Sequence, residues 1–183
     1  MDTSLNLQWQ ITCDAELNNF KNQAEKTLHS AYLEMSREPA SRIPFIVWLL
    51  ENPDSPLPFS GKIDLYRHDC LHLLLDRDLS LYDEAFVLGF TMGNDVSCKW
   101  FHRSLFKLIS TIFYPLKFRF KKVHLLAFDL GVWYGSKVKT KNLNKFDFDS
   151  YKNQSLSKIR KELGIDIDTI QVLWQAQSLL TQV

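Results

Sequence analysis

Apolar residues recur at three- and four-residue steps along most of this chain, and the alternation typical of strands is hard to find. The clearest example predicts an amphipathic helix over residues 14–35. Its apolar positions are Leu17, Phe20, Ala24, Leu28, Ala31 and Met35. Glycine is scarce, at 6 residues. The pattern therefore predicts an all-α protein.

The same spacing predicts the other helices and their ends. Ser80 suits the N-cap of a helix that ends at Gly93 and Asn94, with Asp83 at its third position. Gly164 suits the position after the end of another helix. The proline-rich stretch 52–61 is a loop, because helical spacing continues on both sides. These segments predict one domain over 1–183, a bundle of about seven to eight helices. The remaining predicted helices cover 45–50, 62–75, 81–92, 97–113, 122–134, 156–163 and 168–180.

Composition narrows the class of protein. A chain of 183 residues with 45% hydrophobic residues can build a sizeable core, and a net charge of +1 gives no general reason to expect nucleic-acid binding. The three cysteines lack paired spacing, which indicates reduced thiols and a cytoplasmic location. The N-terminus has no apolar signal core, and the apolar run 43–50 is too short to span a bilayer. Peripheral membrane contact remains compatible with this pattern.

The segment most informative about chemistry contains His68, Asp69 and His72. On a helix these side chains span an arc of about 100°, so their donor atoms can converge on one ion. Glu84 falls in the first turn of the next helix, which should run back antiparallel and face the first. Together the four residues form a candidate divalent-metal site.

Two imidazoles and two carboxylates suit Zn²⁺, with Fe²⁺, Mn²⁺ or Mg²⁺ as alternatives. A solvated polar helix face would produce the same histidine spacing. Against that interpretation, leucines surround the polar groups on most sides of the helix, and charges beside a buried space need partners or a metal.

Two basic clusters each leave two interpretations open. Lys117, Arg119, Lys121 and Lys122 follow an apolar stretch and form either a solvated helix end or an amphipathic element at a membrane surface. The second cluster, Lys137, Lys139 and Lys141, is either ordinary surface or a site for an anionic head group. The isolated histidines His29, His102 and His124 are expected to have no role in the site.

The spacing of His68, Asp69, His72 and Glu84 resembles the H-D-x-x-H-x(11)-E motif of the coenzyme Q (ubiquinone) biosynthesis protein 4 family. The stretches AFDLGVWYGSKVK (127–139) and LSKIRKELGI (156–165) are similar to later segments of that family. The likeness extends over about 62–165. The turn after His72 carries aspartates where the family often has glycines, so the chain looks most like divergent bacterial-type members.

This resemblance implies a metal held by His68, Asp69, His72 and Glu84 beside a hydrophobic tunnel for a polyisoprenoid tail. It implies a homodimer attached peripherally to membranes, and oxidative removal of the ring carboxyl group from a polyprenylated quinone precursor. Aromatic residues are 13% of the chain, and some are candidates to line the tunnel, although a plain core competes for each. The lipid-binding candidates are Phe86, Phe90, Trp100, Phe101 and Phe106. Lys137 and Lys139 are the head-group candidates.

Two other functions fit the same motif. A non-catalytic binder of prenyl lipids, or a scaffold for quinone-biosynthesis enzymes, would use the metal to join two helices. A phosphohydrolase of the HD type would use the adjacent His68 and Asp69, with His29 as a further upstream ligand. The short spacing from His72 to Glu84 favours the first family over the HD type.

Overall fold

The structure is a computed structural model that describes residues 24–35 and 62–181. Within these residues the regular elements are helices, and no strand occurs. The all-α prediction is confirmed for this part of the chain. The predicted helix over 45–50, the loop over 52–61 and much of the helix over 14–35 lie outside the described residues.

Within residues 62–181, turns and 3₁₀ segments separate the α-helices. The N-cap side chains of Asp64, Ser80 and Ser155 each accept a backbone N–H at the start of a helix. The helices are α1 (Leu28–Glu34), α2 (Leu65–Leu74), α3 (Leu81–Asn94), α4 (Trp100–Ile112), α5 (Lys122–Lys137), α6 (Leu156–Leu163) and α7 (Ile167–Thr181).

The helix predicted over 14–35 is wrong as one continuous element. Its chain bends at Lys26, and α1 begins after Thr27, whose side chain accepts the N–H of Ser30. The backbone there pairs with the start of α6, since the N–H of Leu28 donates to Gln154 and the N–H of Leu156 donates to Lys26. A cap and a distant backbone partner together outweigh the helical spacing of the side chains.

Two predicted helix ends have different outcomes. Gly164 follows α6 with φ 76°, in the left-handed region that ends many helices, so that prediction is confirmed. Gly93 was predicted to help end α3, but the helix continues through it to Asn94. Gly93 instead allows close contact with α5, because a Cβ there would lie 2.2 Å from the carbonyl oxygen of Val132.

The centre of the fold is the contact between α3 and α5. Gly89 lies against Phe128, and Gly93, one turn later, lies against Val132, so the two helices run in the same direction with their backbones in contact. A Cβ on Gly131 would sit 2.1 Å from the carbonyl oxygen of Phe86. This spacing excludes any side chain and fixes the position of α3, which carries Glu84.

The remaining helices hold α2 in place against this pair. Arg160 of α6 is buried and donates from Nε to the carbonyl of Leu74 and from a terminal nitrogen to the carbonyl of Leu73, both at 2.9 Å. Tyr32 of α1 packs edge-on against Tyr66, with ring centroids 5.0 Å apart. The C-terminal end of the histidine-bearing helix is therefore anchored by a buried cation.

Across 24–35 and 62–181, every helix falls short of the length or hydropathy needed to cross a bilayer.

Candidate metal site

Local capping places the two helices that carry the site. Asp64 accepts the N–H of Arg67 at 3.0 Å and begins α2, which brings His68 and His72 onto one face. Ser80 begins α3 by accepting the N–H of Asp83 at 3.2 Å, as the sequence predicts. Glu84 consequently lies in the first turn of α3.

The side chains of His68, His72 and Glu84 converge. The two Nε2 atoms lie 3.1 Å apart. Oε2 of Glu84 is 3.3 Å from Nε2 of His68, and Oε1 is 3.4 Å from Nε2 of His72. Among the described residues this is the group of histidine, cysteine and carboxylate side chains whose ligand atoms all lie within 4.8 Å of one another.

These separations fit a small cation. Two ligand atoms on one tetrahedral Zn²⁺, each at about 2.0 Å from it, are roughly 3.3 Å apart. The three contacts of 3.1, 3.3 and 3.4 Å match that value. Three protein ligands also leave a coordination position open, as at catalytic sites. His72 is buried, whereas His68 and Glu84 are partly exposed, so the group is accessible from their side.

A backbone carbonyl sets the orientation of His72. Nδ1 of His72 lies 3.2 Å from the carbonyl oxygen of Arg77. A carbonyl only accepts hydrogen bonds, so Nδ1 carries the hydrogen, and Nε2 of the neutral ring presents its lone pair to His68 and Glu84. This is the outer-shell arrangement that orients histidine ligands in metal proteins.

The pKa shifts of His68, His72 and Glu84 indicate that the three side chains together hold one positive charge beside the carboxylate. Burial lowers the pKa of His68 to about 4. Burial also acts to lower the pKa of His72, but the hydrogen bond and charge of Glu84 outweigh it and the pKa rises. The pKa of Glu84 is lowered, because His72 and His68 outweigh the effect of burial. A proton on His72 therefore balances Glu84, and a metal ion can replace that proton.

Asp69, the fourth predicted ligand, lies outside the group of three. Its side chain is buried, and its charge contributes to raising the pKa of His72. The structure thus assembles three of the four predicted ligands, and the role of Asp69 as a ligand stays a prediction. Cys70 is also outside the group, and burial raises the pKa of its thiol to about 12.

The four phenylalanines among the predicted lipid-binding residues do not share one environment. Phe86, Phe90 and Phe106 are buried in the hydrophobic core. Phe106 stacks on Phe128 with ring centroids 5.3 Å apart, and the guanidinium of Arg77 lies 4.0 Å from the ring centre of Phe86. Phe101 is exposed on α4. The tunnel for a prenyl tail stays a prediction.

The lysines of the second basic cluster lie at and after the end of α5. Lys137 and Lys139 are exposed, and their role with an anionic head group stays a prediction. Lys141 donates to the carbonyl oxygens of Ser136 at 2.7 Å and Val138 at 2.6 Å. Lys141 therefore caps the C-terminal end of α5, a favourable place for a cation.

The isolated histidines lie outside the metal site, and two of them cap the starts of helices. His102 and His124 each accept, through Nδ1, the backbone N–H of the residue that precedes their helix, both at 3.0 Å. His29 is exposed on α1 and is not in the group of three. An HD-type site using His29 as a ligand therefore receives no support from this arrangement.

Two residues that the sequence did not single out support the site. Arg77 supplies the carbonyl that orients His72, and Arg160 binds the end of α2. A backbone carbonyl has no sequence signature, because any residue type supplies one. Searches against protein-family models, curated proteins and solved structures return no match to this chain.

Proposed function

We propose that this protein is a metal-dependent member of the coenzyme Q biosynthesis protein 4-like class, acting on a polyprenylated quinone precursor. The observation that carries the proposal is the convergence of His68, His72 and Glu84 within 4.8 Å. These are three of the four positions of the motif that resembles that family. The fourth motif position is Asp69, which follows His68 in the sequence and has a buried side chain.

The donor set supports the class of chemistry. Two imidazoles and one carboxylate with an open position occur in zinc enzymes and in non-haem iron oxygenases. A divalent metal bound there would supply Lewis-acid or oxygen chemistry at a ring bound beside it. The proposed reaction consumes water and dioxygen, replaces the ring carboxyl group by a hydroxyl group, and releases CO₂ and hydrogen peroxide, so that dioxygen takes up the two electrons removed from the ring.

The first experiment tests the metal. The purified chain is dialysed against Zn²⁺, Fe²⁺ under anaerobic conditions, or Mn²⁺, and bound metal is measured by plasma mass spectrometry. One metal per chain is expected, and His72→Ala or Glu84→Gln should abolish it. His29→Ala is the matched control, because this exposed histidine lies outside the group. Equal metal contents in the site variants and the control would overturn the site.

The second experiment tests the substrate. The metal-loaded chain is incubated in air with a prenylated hydroxybenzoate whose carboxyl carbon is isotopically labelled. Labelled CO₂ and a ring hydroxylated at the same carbon are expected from the wild type and not from His72→Ala. Lipids extracted from the purified chain are analysed in parallel by mass spectrometry.

The same measurements identify the non-catalytic alternative. A co-purified prenyl lipid and a bound metal, with no labelled CO₂ from any precursor offered, would show a binder or scaffold instead of an enzyme. Light scattering of the same preparation measures whether the chain is the expected homodimer.

A further inference from the structure

The turn that joins α2 to α3 contains a buried arginine, Arg77. Its side chain is 0% exposed, whereas arginine side chains are rarely buried without a partner. Burial lowers the pKa of Arg77, and the charge and hydrogen bond of Asp83 act against that effect. The guanidinium therefore depends on a carboxylate that α3 supplies.

The backbone of Arg77 is tied to His72 by two hydrogen bonds. The N–H of Arg77 donates to the carbonyl of His72 at 2.9 Å. In return, Nδ1 of His72 donates to the carbonyl oxygen of Arg77, which lies 3.2 Å away. The imidazole can therefore keep its orientation only while the peptide groups of Arg77 keep theirs.

The side chain of Arg77 extends from this turn to the helix that carries Glu84. Nη1 of Arg77 donates to Oδ1 of Asp83 at 3.3 Å. The guanidinium carbon lies 4.0 Å from the ring centre of Phe86, which is a cation–π contact. Asp83 precedes Glu84 and Phe86 follows it, so one arginine contacts α3 on both sides of this ligand in the sequence.

Two separate connections consequently join the ligands on α2 and α3. The direct one runs from Nε2 of His72 to Oε1 of Glu84, which are 3.4 Å apart. The other runs from His72 through the carbonyl and the side chain of Arg77 to Asp83. If the two helices moved apart, the second connection would have to break as well.

The chemistry of the second connection favours a role in geometry over a role in stability. Desolvation of a buried ion pair offsets most of its attraction, so apolar side chains would stabilise the turn about as well. A guanidinium paired with a carboxylate instead forms directional hydrogen bonds in few arrangements. Fixed geometry is what metal ligands need, since outer-shell groups that orient them change metal affinity by about 10- to 100-fold.

We propose that the guanidinium of Arg77, paired with Asp83, is a positioning group that aligns His72 with Glu84. The ion pair fixes the turn, and the turn fixes the carbonyl to which Nδ1 of His72 donates. Nε2 of His72 is then left to face the carboxylate. The alignment belongs to the metal-free chain, and its use in metal binding rests on the proposed function.

Nitrogen NMR of the isotopically labelled, metal-free chain tests the alignment directly. At alkaline pH, where the ring of His72 is neutral, the spectrum reports which ring nitrogen carries the hydrogen. The wild type should show only the form with hydrogen on Nδ1. Arg77→Met keeps the backbone carbonyl but removes the guanidinium, and it should show a mixture of both forms.

Lys107→Met is the matched control for the NMR experiment. Lys107 forms an ion pair with Asp129 at 2.5 Å, and this pair joins α4 to α5, which carry no residue of the metal site. The control should keep the single form of His72. A guanidinium that only stabilised the fold would change the free energy of unfolding in Arg77→Met without changing the form of the ring.

Zinc affinity, measured by calorimetry, tests whether Arg77 acts through Asp83. Arg77→Met should weaken binding about tenfold. The loss in Arg77→Met/Asp83→Ala should be well below the product of the losses in the two single variants. The contact of Asp83 with Ser80 is lost in both variants that lack Asp83, so its effect cancels in this comparison.

Arg77→Lys provides a second variant that keeps a positive charge beside Asp83. It should lose less zinc affinity than Arg77→Met, because the ion pair survives without the planar fork. Circular dichroism checks the helix content of each variant, and Arg77→Lys carries the NMR test if Arg77→Met does not fold. Lys107→Met/Asp129→Ala should bind zinc as the wild type does.

Two results would overturn the inference. One is a single Nδ1–H form of His72 in Arg77→Met and Arg77→Lys. The other is a double variant whose loss of zinc affinity equals the product of the single losses, which would show that Arg77 and Asp83 act independently. A chain that binds no zinc, yet loses the single form in Arg77→Met, would overturn the proposed function and support this inference.

Discussion

The carbonyl oxygen of Arg77 lies 3.2 Å from Nδ1 of His72, and this contact decides which nitrogen of the ring faces Glu84. With hydrogen on Nδ1, Nε2 is the atom that either holds a proton beside the carboxylate or binds a metal. Proton and metal therefore compete for one nitrogen.

Acid should weaken metal binding in a step that belongs to His72. Burial lowers the pKa of His68 to about 4, so that imidazole is neutral over most of the range. The pKa of His72 is raised, because Glu84 outweighs burial. Below that pKa, the association constant for Zn²⁺ should fall about tenfold per pH unit, since one proton must leave for each metal bound. Calorimetric titration at a series of pH values measures the slope.

Variants separate the two imidazoles in this experiment. His68→Ala should bind Zn²⁺ more weakly at every pH, but its association constant should still fall about tenfold per pH unit, which corresponds to one proton released for each metal bound. His72→Ala should lose most of the affinity for Zn²⁺ and also the dependence of that affinity on pH. A wild type whose affinity is constant from neutral pH to about pH 5 would contradict the competition.

The contact between α3 and α5 should not tolerate a methyl group. Alanine has a helix propensity about 1 kcal/mol better than glycine, so Gly131→Ala would stabilise an open helix. Here the new Cβ would meet the carbonyl oxygen of Phe86 at 2.1 Å, and the two backbones must separate. We expect a net loss of about 3 kcal/mol in the free energy of unfolding, measured by urea denaturation.

Ser136→Ala is the matched control for that substitution. Ser136 is exposed on the same helix, and its loss should change the free energy of unfolding by about 0.5 kcal/mol or less. An equally small effect of Gly131→Ala would show that the helices are not in backbone contact.

Local sequence patterns predicted the residues of the metal site, but not the contacts between distant residues that hold its helices in place. The positions of His68 and His72 follow from the helical repeat, and Ser80 fixes the start of the helix that carries Glu84. Contacts between residues distant in sequence leave no periodic signal. The hydrogen bonds from Arg160 to Leu73 and Leu74 join residues on different helices, and neither the basic side chain nor its neighbours indicate that it is buried.

The break before α1 has a related cause. Helical spacing describes which side chains share a face, but it does not report a competing cap. The helix predicted over 14–35 is interrupted at Thr27 for two reasons. The side chain of Thr27 caps the first turn of α1, and the neighbouring backbone forms hydrogen bonds with the segment that leads into α6.

Replacing Arg160 should loosen the helix that bears the histidines. Arg160→Met removes the two donors that reach the carbonyls of Leu73 and Leu74. The N–H of Asp76 still donates to Leu73 at 3.4 Å, but losing both bonds to the guanidinium should cost about 3 kcal/mol in the free energy of unfolding. Zinc affinity should also fall, by about tenfold, because His72 lies in the last turn of that helix. Thermal melts and calorimetry measure the two effects.

Lys161→Met, at the exposed neighbouring position, is the control and should leave both quantities nearly unchanged. The stability and zinc affinity of Arg160→Lys should lie between those of the wild type and Arg160→Met, because one ammonium group cannot reproduce the planar fork of a guanidinium. Full stability in Arg160→Met would show that the carbonyls do not need this partner.

The turn after α2 contains an aspartate where glycine would be less strained. Asp76 has φ 51°, and the N–H of Arg77 donates to the carbonyl of His72 at 2.9 Å, the pattern with which helices often end in glycine. A non-glycine residue in this conformation costs about 1–2 kcal/mol, less for aspartate than for alanine. Asp76→Gly should therefore exceed Asp76→Ala in stability by about 1 kcal/mol or more. Both variants lose the same carboxylate, so their difference in urea denaturation isolates the backbone, and equal stabilities would show that the turn is not left-handed.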